Sequence, residues 1–185
     1  ARRLRDGRLG AFRDAELELL CSEGIVVSND RDELAEYIEA YESSKDDGLM
    51  MVQLKLASSC NLACGYCYQG APVKRGNVMS TEVLERFLVW VEAELHAAHV
   101  ENFFLELYGG EPLLAKKLLP VLFERLSRAS DASGVPIQYA LTSNSTLMDD
   151  ELIQLLLDHK VETKVSVDGT KETHDKRRTW KNGDG

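Results

Sequence analysis

The pattern of apolar and polar positions divides the chain into two parts. In the first 48 residues the apolar positions recur at helical spacing within a charged background. This pattern predicts a short helix over Asp14–Cys21 and a second helix that opens with Asp30 and Glu33 as a capping box and runs to Ser43. Between them, residues 25–27 are a short apolar run that is typical of a strand. We expect this mostly helical segment, residues 1–48, to pack on the domain behind it; the alternative is that it belongs to a peptide-binding region.

From residue 49 onward the pattern changes to repeated units of strand, loop and helix. Strands are predicted over residues 50–57, 103–108, 137–142 and 161–167. One helix is predicted to begin after Ser80, a second to run to Ser130 with Pro120 in its first turn, and a third to begin at Asp149. The first carries apolar residues on one face at positions 83, 84, 87, 88, 91 and 95. The third carries them at positions 152, 153, 155 and 156, which we expect to face the sheet. Strands that alternate with helices indicate an α/β domain with a parallel sheet and right-handed crossovers over residues 49–185.

Composition limits the kind of protein and its partners. With 185 residues, of which 44% are hydrophobic and 29% charged, the chain is long enough for one globular core. No apolar run approaches the length that a bilayer requires, so we expect no membrane partner. The net charge of -9 argues against a nucleic-acid surface. We interpret the basic start, which holds Arg2, Arg3, Arg5 and Arg8, as a solvated end.

Three of the four cysteines fall within eight residues directly after the first predicted strand. Cys60, Cys64 and Cys67 have the spacing C-x3-C-x2-C and lie on a loop, where their thiolates can converge on one centre. Soft thiolates select iron–sulfur clusters, zinc or copper(I) over hard ions. Three thiolates on a four-iron cluster leave one iron open to a substrate, whereas a structural zinc site wants four protein ligands. The count of three therefore favours a reactive cluster.

The alternatives are a zinc site completed by a histidine and a disulfide framework. None of His96, His99, His159 and His174 stands at finger-like spacing from the cysteines, and we interpret the first two as a solvated helix face. A disulfide framework is weaker still, because the fourth cysteine, Cys21, is distant and no secretory segment precedes it. Free cysteines without such a segment indicate the cytoplasm.

Unusual residues follow all four predicted strands. These are the cysteine loop, Gly109–Pro112, Ser143–Ser145, and Ser166 with Asp168–Gly169. Ligands of parallel α/β folds bind at the carboxyl ends of the strands, so we expect the four segments to converge on one rim. The convergence of these segments predicts one shared site and argues against a structural zinc site on a peripheral loop.

All four segments carry a family resemblance. Cys60-x3-Cys64-x-Tyr66-Cys67, followed by Gly109-Gly110-Glu111-Pro112, resembles the radical S-adenosylmethionine superfamily. Residues 141–151 and 165–178 are similar to its branch of anaerobic sulfatase maturases and SPASM-type peptide-modifying maturases. The resemblance covers about residues 50–185. It implies the radical SAM type of partial (β/α) barrel, with about four βα units present.

The resemblance also implies cofactors and partners. Cys60, Cys64 and Cys67 would ligate a 4Fe-4S cluster, whose open iron would chelate S-adenosylmethionine. One electron, from a donor such as flavodoxin or ferredoxin, would cleave the sulfonium and release a 5'-deoxyadenosyl radical. That radical would abstract hydrogen from a peptide or protein substrate.

Several residues are candidates for the S-adenosylmethionine site. Gly109 and Gly110 let the backbone approach a ligand, and Glu111 offers an acceptor to its ammonium group; the alternative is a tight turn with a capping glutamate. The resemblance places Tyr66 at the adenine, with a plain packing role as the alternative, and Ser166 at the ribose hydroxyls.

The remaining candidates depend more heavily on the resemblance. Arg178 would bind the methionyl carboxylate, with its neighbour Arg177 as the alternative. Asn144 falls where the family has an asparagine in a Thr-Asn-Gly turn, although Ser145 here replaces that glycine. Asp168 is a further candidate, and its alternative is a turn-forming role.

The resembling maturases continue beyond this segment, and both ends of the chain look cut. Two further strand–helix units, a C-terminal domain with auxiliary clusters and the acid–base residue would all follow it. We therefore expect the isolated fragment not to be fully active as an enzyme. The alternatives to a peptide maturase are a small-molecule enzyme, such as one of molybdenum-cofactor synthesis, and a non-catalytic metal- or peptide-binding module.

Overall fold

The computed structural model describes residues 13–26, 32–44, 48–70, 76–97 and 99–181. The chain divides into two compact units, Ala1–Lys45 and Asp46–Gly185. Within the described residues, no helix combines the length and the apolar character needed to span a membrane. The basic start of the chain lies outside the described residues.

The first unit contains two helices, α1 (Asp14–Ser22) and α2 (Glu33–Ser44). The predicted cap residue Asp30 lies outside the described residues, and Asp32 makes a cap bond instead by accepting from the Ala35 amide at 2.9 Å. The predicted strand at residues 25–27 is wrong for its described part, because residues 25 and 26 form a bend. An apolar run of this length has no described strand to pair with in this unit, so its β-propensity is not realised.

The second unit is a four-stranded sheet with helices between the strands. The strands are β1 (Leu49–Ala57), β2 (Asn102–Gly109), β3 (Ile137–Ser143) and β4 (Glu162–Val165). The helices are α3 (Thr81–Leu95), a 3₁₀ helix (Pro112–Leu118), α4 (Leu119–Ser133), α5 (Asp150–Asp158) and α6 (Lys171–Arg177). All neighbouring strands are parallel, in the order β1-β2-β3-β4. This confirms the predicted α/β fold, with an open sheet rather than a closed barrel.

Local sequence signals set the starts and ends of these helices. The Ser80 hydroxyl accepts from the Val83 amide at 3.3 Å and caps α3. The Asp149 carboxylate accepts from the Leu152 amide at 2.9 Å and caps α5. Pro120 lies in the first turn of α4, as predicted, where its missing amide costs no helical hydrogen bond.

Three details of the prediction are wrong. The single helix predicted after β2 is a 3₁₀ helix followed by α4, with a kink at Ala115. The strand predicted over residues 161–167 is limited to β4, because β4 pairs only with β3 within the described sheet and its end lacks a second neighbour. Ile153, which was predicted to face the sheet, is exposed, because the apolar stripe of α5 is wider than the surface that it covers.

The core lies between one face of the sheet and the helices. Alternate residues of β1 and β2 are buried there against α3 and α4, with Leu56, Leu105 and Leu107 fully enclosed. The opposite face carries polar side chains, among which Gln53 donates to Glu106 at 2.8 Å. The period of two along β1 and β2 thus separates a buried apolar face from a more exposed face of the sheet.

Candidate functional site

A cavity of about 450 Å³ lies at the carboxyl ends of the four strands. Its walls come from the cysteine loop after β1, the Gly-Gly-Glu turn after β2, the end of β3 with its loop, and the segments after β4 and α6. All but one of the candidate residues line it: Cys60, Cys64, Tyr66, Cys67, Gly109, Gly110, Glu111, Asn144, Ser166 and Arg178. The exception is Asp168, which contacts two of these lining residues from behind.

The three clustered cysteines are free thiols on one wall of the cavity. Cys60 is buried, whereas Cys64 and Cys67 are half-buried. Burial raises the pKa of the Cys60 and Cys64 thiols, and for Cys64 the nearby Arg178 cation opposes that rise. Among the described residues, no three His, Cys, Asp or Glu side chains are grouped to hold one metal ion. The three thiols are thus separate donors around a shared space.

The segment after α6 holds the cysteine loop in place. The Ala63 amide donates to the Thr179 carbonyl at 2.7 Å, and Leu62 and Trp180 form an isolated antiparallel bridge. Thr179 and Trp180 were not predicted as site residues. They carry no recognisable motif, and only the return of the chain from α6 brings them to the loop.

Gly109 and Gly110 are required by contacts within the protein. A Cβ at Gly109, whose φ is 144°, would lie 2.1 Å from the Ala57 carbonyl oxygen, and a Cβ at Gly110 would lie 2.2 Å from the Ser59 carbonyl oxygen. The Gly110 amide also donates to the Ala57 carbonyl at 2.8 Å. The glycines therefore let β2 approach the start of the cysteine loop, and their predicted approach to a ligand stays a prediction.

Glu111 is almost fully buried, and its carboxylate accepts three hydrogen bonds that link the turn after β2 to the end of β3. Oε1 accepts from the Leu113 amide at 2.9 Å and from the Ser143 hydroxyl at 2.8 Å, and Oε2 accepts from the Asn144 amide at 2.8 Å. The capping role considered as the alternative is thus present. A carboxylate has about four acceptor positions, so the predicted contact with an ammonium group is compatible with these three bonds.

The turn after β3 keeps a backbone geometry that usually selects glycine. Ser145 has a φ of 59°, in the left-handed region, at the position where the resembling family has glycine. Its hydroxyl is buried without a hydrogen-bond partner within the described part of the chain. The serine therefore occupies a left-handed position of the turn, and Asn144 Nδ2 donates to Asn61 Oδ1 in the cysteine loop at 2.9 Å.

Arg178, Asp168 and Tyr66 form one connected group. Arg178 Nη2 donates to Asp168 Oδ1 at 3.0 Å, the Tyr66 hydroxyl donates to Asp168 Oδ2 at 2.5 Å, and the guanidinium lies 5.6 Å from the Tyr66 ring centre. The Tyr66 hydroxyl, and next the Arg178 guanidinium, lower the pKa of Asp168. Burial, and next the bond to Asp168, raise the pKa of Tyr66 to about 12. Arg178, and not Arg177, lines the cavity.

Sequence reasoning missed several lining residues, chiefly Tyr68, Gln69 and Tyr108. The Tyr68 and Tyr108 hydroxyls are 3.1 Å apart, and Gln69 Nε2 donates to the Gly109 carbonyl at 2.7 Å. Tyr108 could have been predicted from the sequence pattern, because it alternates along β2 with the buried Leu107 and therefore lies on the opposite face of the sheet. Tyr68 and Gln69 lie on a loop without periodicity.

Comparison with known proteins gives consistent results. The model of the Radical SAM superfamily matches residues 54–184. The cysteine-type anaerobic sulfatase-maturating enzyme of Clostridium perfringens (strain 13 / Type A) is 32% identical over an alignment of 129 residues that covers 66% of this chain and 33% of that enzyme. The solved structure of native anSMEcpe with bound AdoMet matches 73% of this chain and 36% of its own, with a TM-score of 0.63 and 30% identity.

A second solved structure contains a peptide. Native anSMEcpe with bound AdoMet and Cp18Cys peptide matches 73% of this chain and 35% of its own, with a TM-score of 0.60 and 27% identity. The chain thus spans about a third of the length of these relatives.

Proposed function

The chain belongs to the radical SAM superfamily, and we propose that it holds the 4Fe-4S cluster and the S-adenosylmethionine of an enzyme that modifies a peptide or protein. The substrate class is supported by the similarity to a sulfatase-maturating enzyme and to a peptide-bound structure. Because the chain spans about a third of these relatives, the activity is proposed for the whole protein.

The observation that carries the proposal is the convergence of three thiols and a cation on one cavity. Cys60, Cys64 and Cys67 line it together with Arg178. Arg178 Nε is buried and has no hydrogen-bond partner among the described residues. A buried, unpaired guanidinium nitrogen is costly unless a ligand accepts from it, and a carboxylate is its best partner. The three thiols and the unpaired guanidinium nitrogen therefore fit a cluster with three thiolate ligands and, beside it, the amino-acid part of S-adenosylmethionine.

We assign the following roles to the residues of this chain. The three cysteines bind the cluster, and Arg178 orients the methionyl carboxylate while Asp168 holds the guanidinium from behind. Tyr66 packs beside the adenosyl group, and Ser166 offers its hydroxyl to the ribose. When bound, the cluster and S-adenosylmethionine supply the radical chemistry that removes a hydrogen atom from the substrate.

Two further statements are part of the proposal. The four free cysteines support a reducing compartment, and we place the protein in the cytoplasm. Reduction of the cluster requires an external electron, for which a flavodoxin or a ferredoxin is the proposed donor.

The test is electron paramagnetic resonance of the full-length protein after anaerobic reconstitution and reduction, with and without S-adenosylmethionine. We expect a reduced-cluster signal that changes when S-adenosylmethionine is added. Cys64→Ala should abolish this signal, whereas Cys21→Ala should keep it, because Cys21 lies on α1 and is not part of the clustered C-x3-C-x2-C motif. A signal insensitive to S-adenosylmethionine, or zinc in place of iron, would contradict the proposal.

A further inference from the structure

We propose that Asn144 is a positioning residue that donates an N–H···S hydrogen bond to Cys60 and thereby raises the reduction potential of the cluster. This inference rests on the proposed function, since it takes Cys60 to be a cluster ligand. It gives Asn144 a contact with the ligand sulfur itself, in addition to any contact with S-adenosylmethionine.

The sulfur of Cys60 accepts hydrogen bonds from its surroundings. It is the buried member of the three lining cysteines, and its sulfur accepts from the Leu62 amide at 3.3 Å and from Asn144 Nδ2 at 3.7 Å. The Cys60 thiol itself donates to Asn61 Oδ1, with 3.8 Å between the sulfur and the oxygen. A metal-bound cysteine loses that hydrogen, and its sulfur then acts only as an acceptor. The two N–H groups that would donate to the metal-bound thiolate sulfur are therefore already in place.

The surrounding hydrogen bonds fix which end of the Asn144 amide faces the sulfur. The Thr146 backbone amide donates to Asn144 Oδ1 at 3.1 Å, and the Thr146 hydroxyl donates to the same atom at 2.7 Å. A backbone N–H can only donate, so the amide oxygen must point to Thr146 and the amide nitrogen to Cys60. The nitrogen has two hydrogens, and Asn61 Oδ1 accepts the second at 2.9 Å.

The three side chains form a closed ring that holds the amide rigidly. Asn61 Nδ2 donates to the Thr146 hydroxyl at 2.7 Å, which completes the circuit from Asn144 to Thr146 to Asn61 and back. The backbone of Asn144 is held separately by Glu111. Both the side chain and the main chain of Asn144 are therefore fixed before any cluster binds.

A hydrogen bond to a ligand sulfur favours the more negative state of a cluster. Reduction adds an electron that is shared with the sulfur ligands, so N–H donors bind more strongly after reduction than before. Hydrogen bonds to the sulfurs are one of the factors that set the potentials of iron–sulfur clusters. Loss of the Asn144 donor should therefore make the cluster harder to reduce.

The experiment is a redox titration of the reconstituted full-length protein, followed by the signal of the reduced cluster. Asn144→Ala should lower the equilibrium constant for one-electron reduction about tenfold, which is about 59 mV toward negative potential. Asn144→Asp should lower it further, because it keeps the acceptor for Thr146 but turns a carboxylate oxygen toward the sulfur. The matched control is Asn102→Ala, an exposed asparagine at the opposite end of β2, and its potential should be unchanged.

A second measurement needs no variant and covers the case in which Asn144→Ala fails to take up a cluster. Protein labelled with ¹⁵N only in asparagine side chains should show a ¹⁵N hyperfine coupling to the reduced cluster, transmitted through the N–H···S bond. No coupling in the wild type, or an unchanged potential in a cluster-containing Asn144→Ala protein, would overturn the inference. The proposed function fails separately, through a wild-type protein that binds no cluster.

Discussion

The Tyr66 hydroxyl donates a 2.5 Å hydrogen bond to the Asp168 carboxylate, between residues 102 positions apart in sequence. This bond joins the cysteine loop to the turn after β4. Arg178 completes the connection by pairing with the other carboxylate oxygen of Asp168. The two walls of the cavity are therefore held together by one carboxylate.

The first prediction concerns the pKa of Asp168. Tyr66→Phe removes the larger of the two side-chain hydrogen bonds that lower this pKa, so the pKa should rise toward the ordinary value of about 3.9. The measurement is a pH titration of the Asp168 side-chain carboxyl carbon by NMR. Tyr68→Phe is the matched control, because its hydroxyl contacts Tyr108 instead. Identical Asp168 titrations in Tyr66→Phe and wild type would contradict the assigned bond.

The same shift has a consequence for stability in acid. Because the pKa of Asp168 is lower in the folded state, its contribution to stability is fully present above the unfolded value of about 3.9 and is lost as the pH falls below it. Wild-type protein should therefore lose more unfolding free energy below about pH 4 than Tyr66→Phe does. Urea unfolding at a series of acidic pH values measures this difference.

The second prediction separates two glycines of the site. Gly110→Ala places a Cβ 2.2 Å from the Ser59 carbonyl oxygen and should lower the free energy of unfolding by about 3 kcal/mol. Gly65→Ala, in the cysteine loop, meets no described atom within 4 Å and should change it by less than about 0.5 kcal/mol. Urea unfolding followed by circular dichroism compares the two. Equal stability would show that the turn after β2 does not need its glycine.

The third prediction tests the structural role of Glu111. Glu111→Ala leaves the donors of Leu113, Ser143 and Asn144 without their acceptor. Each unsatisfied buried donor costs about 1–3 kcal/mol, so the total loss of unfolding free energy should be at least about 3 kcal/mol. Glu111→Gln keeps one oxygen and should lose less.

The matched control for this prediction is Glu124→Ala on α4. Glu124 is exposed and pairs with Arg128 one helical turn away, so its removal should cost less than about 0.5 kcal/mol. A Glu111→Ala protein as stable as this control would mean that the buried carboxylate is held for a ligand and not for the fold. The measurement is the urea unfolding curve of each variant without any cofactor.

The fourth prediction is a stabilising substitution. Ser145→Gly should raise the free energy of unfolding by about 1 kcal/mol, because glycine adopts the observed φ of 59° without the steric cost that serine has. It also removes a buried hydroxyl that lacks a partner among the described residues. The melting temperature should rise by about 2–4 °C. Ser166→Gly, at a position without positive φ, should give no gain, and a gain of equal size there would contradict the explanation.

Much of the fold could be predicted from local patterns. The alternation along β1 and β2 and the cap residues Ser80 and Asp149 identified elements whose bounds agree with the structure to within about two residues. The prediction failed at the end of β4, where the apolar Val165 and Val167 are exposed. Apolar character alone does not show whether a neighbouring strand is present to pair with a segment.

The site was predictable as a location but not as a set of contacts. Motifs at the ends of the strands, together with the family resemblance, identified ten residues that line the cavity, because parallel strands bring their carboxyl ends together. The missed residues Tyr68 and Gln69 lie in a loop, where no repeating pattern of apolar residues indicates which way a side chain points. The roles assigned to the predicted residues stay predictions until a ligand is bound.

The sequence by itself determined the order of strands and helices, the parallel sheet and the place of the cysteines on a loop. These properties follow from neighbours in the chain, since burial on one side of a strand or helix repeats with its backbone period. Only the tertiary structure decided that Glu111 is enclosed by three donors, that Asn144 faces Cys60 across 84 positions, and that Tyr66 meets Asp168. Those contacts depend on the register of the sheet and the paths of its loops, which join residues that no local pattern connects.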